Sequence, residues 1–196
     1  MRAGLVLACA AVLAACSPSD HPSAPAAPAA AASAAGAPVV AAAPAQPATL
    51  ARYDGYGDMR FGMDDAAFAQ AWGGELKASS PAAGSSCLSK RPLWVKTPAD
   101  FAFLFEDGHF VRYDVGTAKE SAPGGGKVGM GEAQIRSLYG DRVAEQPHKY
   151  VDGAKYLRVA APQGNAMLVF ETDATGKVTR WRVGVPPQID YVEGCG

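Results

Sequence analysis

The sequence predicts an α+β domain of two pseudo-repeats, each a short helix packed on antiparallel β-hairpin strands. Three observations lead there. A Gly-Met unit with an acid, an apolar helical stripe and a closing glycine occurs twice, at Phe61–Gly73 and at Val128–Gly140. Each copy is followed by two strand-like runs around a glycine-containing turn. The order and spacing of helix and hairpin match between the copies, which is the mark of a repeated supersecondary unit.

In the first copy, Asp64 is placed to cap a helix on which Phe68, Ala71 and Trp72 share one face, and Gly73 ends it. In the second, Gly131 takes the capping place, Ile135, Leu138 and Tyr139 form the stripe, and Gly140 stops it. Asp65 and Glu132 fall in the first turn, where the positive end of the helix favours an acid. Phe103–Gly108 running into Phe110–Gly116 reads as a hairpin, and so does Leu168–Glu171 joined through Thr172–Gly176 to Val178–Gly184. Strand alternation puts Phe101, Phe103, Phe105, Val111, Tyr113, Val115, Leu157, Val159, Leu168, Phe170, Trp181 and Val183 on a core face. The opposite face then carries Leu104, Arg112, Asp114, Tyr156, Arg158, Val169, Glu171, Arg180 and Arg182.

Ahead of this domain lie two segments of other character. Met1-Arg2 and the apolar run Ala3–Ala15 have the layout of a signal peptide over residues 1–15, and the run is too short for the roughly 20 residues of a spanning helix. From Cys16 to residue 49 the chain is almost all Ala, Pro and Ser, with Pro18, Pro22, Pro25, Pro28, Pro38, Pro44 and Pro47 breaking any helix. It buries too little apolar surface to offset its ordering entropy, so a polyproline-like tether is predicted, reaching on the order of 100 Å if extended. Residues 50–196 make one domain, with repeat one at about 55–117 and repeat two at about 126–196.

Leu13-Ala14-Ala15-Cys16 resembles the lipobox of bacterial lipoproteins. That resemblance implies cleavage before Cys16, acylation of its thiol and its new amine, and anchorage in a lipid bilayer; several acyl chains hold firmly. Ser17 in place of Asp implies, by the same resemblance, the outer membrane, with the domain facing the periplasm. Cys9 leaves with the signal, so Cys87 and Cys195 remain in an oxidising compartment, where they are expected to pair; two separate buried thiols are the alternative. The repeated Gly-Met unit followed by strands resembles, in architecture, the tandem repeats of β-lactamase-inhibitor-like and small outer-membrane-assembly lipoproteins. The second helix expected of each unit in those families is not evident across the Gly-, Ser- and Pro-rich stretch 74–84, and no binding site transfers. Residues 55–196, ending Tyr191-Val192-Glu193-Gly194-Cys195, also resemble bacterial envelope proteins that sometimes carry a lectin label.

Net charge is −1, which gives no electrostatic reason for a nucleic-acid partner. The domain holds only His109 and His148, with no zinc spacing, no nucleophile elbow and no phosphate-cradling loop; Gly124–Lys127 reads as the link between repeats. Asp54, Asp58, Asp64 and Asp65 miss the calcium-loop pattern and read as turn and helix-start residues. No cofactor and no metal is expected, and no enzymatic set. Arginine interleaved with apolar surface suits a protein interface, so Arg112, Arg158, Arg180 and Arg182 are the candidate contacts for a periplasmic protein. His148, Tyr150 and Tyr156, beside the Asp152-Gly153 turn, are the candidates for a glycan. The predicted function is a non-enzymatic, membrane-anchored envelope binding or scaffold module, with carbohydrate binding as the alternative.

Overall fold

The computed structural model describes residues 49–195. The signal peptide, Cys16 and the tether through residue 48 lie outside the described residues. What is described is mostly β. Strands β1 (Ala51–Arg52), β2 (Gly55–Tyr56) and β3 (Met59–Arg60) form a small antiparallel sheet. Helix α1 (Asp65–Trp72) follows, then β4 (Leu76–Ala78), β5 (Leu88–Pro92), β6 (Phe101–Glu106) and β7 (His109–Val115). Helix α2 (Glu132–Tyr139) precedes β8 (Val143–Pro147), β9 (Lys155–Ala160), β10 (Met167–Thr172) and β11 (Val178–Gly184). Strands β4 to β11 make one sheet in the order β4-β5-β6-β7-β11-β10-β9-β8, antiparallel throughout.

This corrects the predicted α+β pair of helix-on-hairpin repeats. Eleven strands in two sheets, two eight-residue α-helices and two short 3-10 turns, Gly140–Arg142 and Gln188–Asp190, make up the described elements. The two predicted hairpins form, as β6–β7 and β10–β11, but they do not stand as separate units: β7 pairs with β11, Val115 opposite Trp181, and fuses the two meanders into a single eight-stranded sheet. The outer strands escape a pattern search because β4, β5 and β8 read Leu-Lys-Ala, Leu-Ser-Lys-Arg-Pro and Val-Ala-Glu-Gln-Pro. β4 and β8 are the two edges, where Lys and Pro are favoured, and β5 beside β4 is polar as well, so none of the three carries an apolar alternation.

The two helices sit where their caps place them. Asp64 accepts a hydrogen bond from the Ala67 amide at 2.8 Å, and Gly73 closes α1 in the left-handed region at φ 68°. Gly131 has no side chain to cap α2; there Gln134 reaches back, its Oε1 accepting from the Gly131 amide at 2.9 Å. Helix α1 buries Phe68 against Phe103, Phe105 and Phe110, with ring centroids 4.9–5.0 Å apart and edge-to-face. Helix α2 buries Ile135 and Tyr139, and the Tyr139 hydroxyl donates to Pro123 O while accepting from the Gly126 amide. Burial raises that hydroxyl's pKa, so it stays protonated as the donor.

The core face gathers the predicted residues with one exchange. Phe101, Phe103, Phe105, Tyr113, Val115, Leu157, Val159, Leu168, Phe170, Trp181 and Val183 all lie in the main cluster. Val111 does not; it packs with Ala102 and Leu104 on the other face, and Phe110 enters the core. A β-bulge between Leu104 and Phe105 pairs these with Arg112 and Phe110, so Val111 is the extra residue and alternation changes phase there.

Candidate functional site

The arginine face is not an open sheet surface. The segment after β11, Val185–Cys195, returns across it as a strap. Val185 and Cys195 pack on Ala102, Leu104 and Val111, while Ile189, fully buried, and Val192 pack with Tyr156 and Val169. Cys87 and Cys195 are bonded, with Cα atoms 5.2 Å apart, which fastens the strap's end beside β5. At the strap's start the Val185 amide donates to the bulged Val111 carbonyl at 3.0 Å. Gly184 lets Arg112 lie alongside: a Cβ there would meet the Arg112 Cβ at 2.8 Å and Val111 O at 2.9 Å.

Arg112, 1 % exposed, holds the strap from beneath. Its Nη1 donates to the carbonyls of Gln188 and Tyr191 at 2.9 and 2.5 Å, and Nε and Nη2 donate to Asp114 Oδ1. Arg182, 2 % exposed, donates from Nε to Ile189 O at 2.9 Å and from Nη1 to Glu171 at 2.9 Å. Burial first and the nearby Arg112 second lower the Arg182 pKa, against the pull of Asp114 and Glu171. Arg158 pairs with the strap's Asp190 at 2.5 Å and stays partly open. Arg180 is half-buried, opposite Glu171 in the ladder. Of the four predicted contact arginines, two therefore serve the protein's own strap as fully desolvated donors, because backbone carbonyls and acids within the fold satisfy them first.

His148 and Tyr156 are drawn into the same network. Nδ1 of His148 accepts from the Tyr150 and Val151 amides at 3.0 and 3.1 Å, which assigns the proton to Nε2, directed at Glu171 Oε1 3.1 Å away. The imidazole stacks on Tyr156 with centroids 4.6 Å apart. Tyr150 is exposed, and its hydroxyl donates to Glu193 of the strap, with Lys149 3.7 Å from the same acid. The hydrogen bond from Tyr150 first, then Lys149, lowers the Glu193 pKa. The predicted glycan residues are thus tied to their own loop and strap. Between this network and the strap a polar cleft of about 250 Å³ remains, lined by Gln146, Tyr156, Arg158, Arg182, Asp190 and Val192.

A second cavity, about 510 Å³, lies on the helix side of the sheet. No predicted site residue belongs to it. Its walls include Tyr56, Trp72, Phe101 and Trp94, with Lys96, Asp100, Lys119 and Glu120 supplying charge. Trp94 is 72 % exposed and stacks on Trp72, centroids 5.7 Å apart and planes 22° off parallel. The Trp72 indole N–H is buried without an acceptor among the described residues, so that ring contributes an apolar face. Tyr56 packs edge-on against Phe101, Phe103 and Tyr113. Burial first, then the adjacent Glu120, raises its hydroxyl pKa and keeps it a donor.

The loop that presents Trp94 is held at both ends. Arg91 Nη1 donates to Val95 O at 2.6 Å, and Asp100 accepts from the Thr97 amide and hydroxyl at 3.1 and 3.0 Å. Exposed Leu50 also lines the cavity, and Leu93, next to Trp94 in the chain, is exposed. A signal was present in the sequence: Leu93-Trp94 sits in a loop between Pro92 and Pro98, without strand or helix period to bury it. A concave apolar wall with a few convergent polar groups is the usual form of a binding site. Among the described residues no three His, Cys, Asp or Glu side chains gather as metal ligands. No helix among them is long and apolar enough to cross a membrane.

No protein-family model and no curated protein matches the chain. Two solved structures are similar to it. One is an extracellular protein containing a SCP domain from Bacillus anthracis str. Ames, at 12 % identity over 64 % of this chain and 44 % of that one, with a TM-score of 0.41. The chain therefore spans less than half the length of the Bacillus protein. The other is the uncharacterized protein yfeY from Escherichia coli, at 16 % identity over 68 % of this chain and 95 % of that one, with a TM-score of 0.43.

Proposed function

We propose that the chain is a non-enzymatic binding module of the bacterial cell envelope, anchored in the outer membrane through acylated Cys16 and facing the periplasm. Its partner is a periplasmic protein, docked at the cavity around Trp94. The observation that carries the reading is Trp94 itself, a large apolar side chain 72 % exposed over a 510 Å³ cavity and held flat by its stack on Trp72. Exposed tryptophan on a rigid support is the residue type that dominates interface energetics, and its truncation costs about 2 kcal/mol or more. The lipobox resemblance at Leu13–Cys16 supports the anchor and the compartment.

The test is photo-crosslinking in intact cells from a reactive residue at Leu93, with and without Trp94→Ser. One discrete protein adduct, reduced at least about tenfold by the substitution, is the expected result. An adduct of undiminished yield would refute the assignment. A second reading, glycan recognition, moves from His148 and Tyr150 to the same cavity, since a flat indole beside Lys96, Asp100 and Glu120 offers a sugar ring both stacking and hydrogen bonds. Glycan-array binding that Trp94→Ser abolishes, with no protein adduct in cells, would decide for it.

A further inference from the structure

We propose that the polar cleft beneath the C-terminal strap is a second binding site, selective for a compact carboxylate, and that Asp190 occupies it as the chain's own competitor. The site lies on the other face of the sheet from Trp94 and does not depend on that reading. At about 250 Å³ it falls below the roughly 300–1,000 Å³ of sites for drug-sized ligands, so its ligand is small.

Two guanidinium groups line it, and both retain donors. Arg182 is fixed through Nε to Ile189 O and through Nη1 to Glu171, leaving Nη2 without an acceptor among the described residues. Arg158 uses Nη1 on Asp190 and leaves Nε and Nη2 likewise. The free Nε–Nη2 edge of Arg158 matches a carboxylate bidentately, and Nη2 of Arg182 adds a single donor. Gln146 adds an amide, and the Tyr156 ring, 5.4 Å beneath the Arg182 guanidinium, forms the floor. Arg182 is buried and locked, so this half of the site is preformed.

Asp190 is the movable part. Its side chain is 52 % exposed although paired with Arg158, whose side chain is 15 % exposed. Turning Asp190 into water breaks a half-solvated pair, and an incoming carboxylate restores it. The arginines Arg112, Arg158 and Arg182 face Asp114, Glu171 and Asp190; with Asp190 turned out, the cleft carries one uncompensated positive charge. The chemistry admits two sources of the carboxylate, a free small acid or the acidic end of a peptide.

The experiment titrates the thermal midpoint of the full-length protein with succinate, with neutral succinamide and with a tripeptide ending in aspartate. Succinate is expected to raise the midpoint where succinamide does not. Asp190→Asn is expected to bind succinate about tenfold more tightly, and Arg158→Gln to lose the response. A tripeptide that acts at lower concentration than succinate assigns the site to peptides, and the reverse assigns it to free acids. Unchanged or weaker affinity in Asp190→Asn overturns the proposal, as does a response that survives Arg158→Gln or equal action by succinamide. The gain expected from Asp190→Asn cannot arise from a damaged fold.

Discussion

Replacing Cys87 and Cys195 together by serine is expected to remove close to half of a typical domain's stability while leaving the strap in place. The bond joins residues 108 apart in sequence. In the chain-entropy description, closing a loop of that length withdraws about 4.8 kcal/mol of disorder from the unfolded chain at 25 °C. Domains of this kind are stable by about 5–15 kcal/mol in all, so the loss corresponds to a midpoint lowered by roughly 10–15 °C. The folded form should survive, because Ile189 remains buried and Arg112 and Arg182 still donate to three strap carbonyls. Urea unfolding followed by near-ultraviolet circular dichroism measures both points, with the native signal unchanged and the transition shifted to lower denaturant. A shift worth less than about 1 kcal/mol would refute the reasoning. It would mean that residual structure already confines the unfolded chain, so that the bond withdraws little further disorder.

Other consequences of the geometry are open to measurement. Asp114→Ala strips Arg112 of its carboxylate while both sit buried, and should cost about 3 kcal/mol in urea unfolding; a loss below about 1 kcal/mol would show that the Gln188 and Tyr191 carbonyls alone satisfy the guanidinium. Glu132 is held below the usual carboxylate range by Arg136 first and Lys155 after it. A lowered folded-state pKa means that the pair stabilises above the unfolded value and that this contribution disappears as pH falls through the folded one. The stability gap between the parent and Glu132→Gln should therefore be constant from pH 7 to about 5 and shrink below about pH 4; a gap independent of pH down to 3 would contradict the pairing.

What could be read from residues alone was what short-range chemistry decides. Asp64 and Gly73 bound a helix because a capping side chain and a left-handed glycine act within one turn. Phe103, Tyr113, Phe170 and Trp181 fall on one face because side chains alternate along a strand. Val111 escaped because a single bulge reverses that alternation, and the edge strands β4 and β8, with β5 next to β4, escaped because their residues are largely polar. That β7 and β11 would pair, joining the meanders into one sheet, is a contact between distant segments which no local pattern encodes. The same holds for the site. The sequence places Arg112, Arg158 and Arg182 on one face, but only the returning strap decides that Arg112 and Arg182 are buried while Arg158 keeps an open edge. Trp94 gains its place as a binding platform from Trp72, a helix residue 22 positions earlier in the chain. Burial and proximity are properties of the assembled chain, and they separate a structural arginine from an available one.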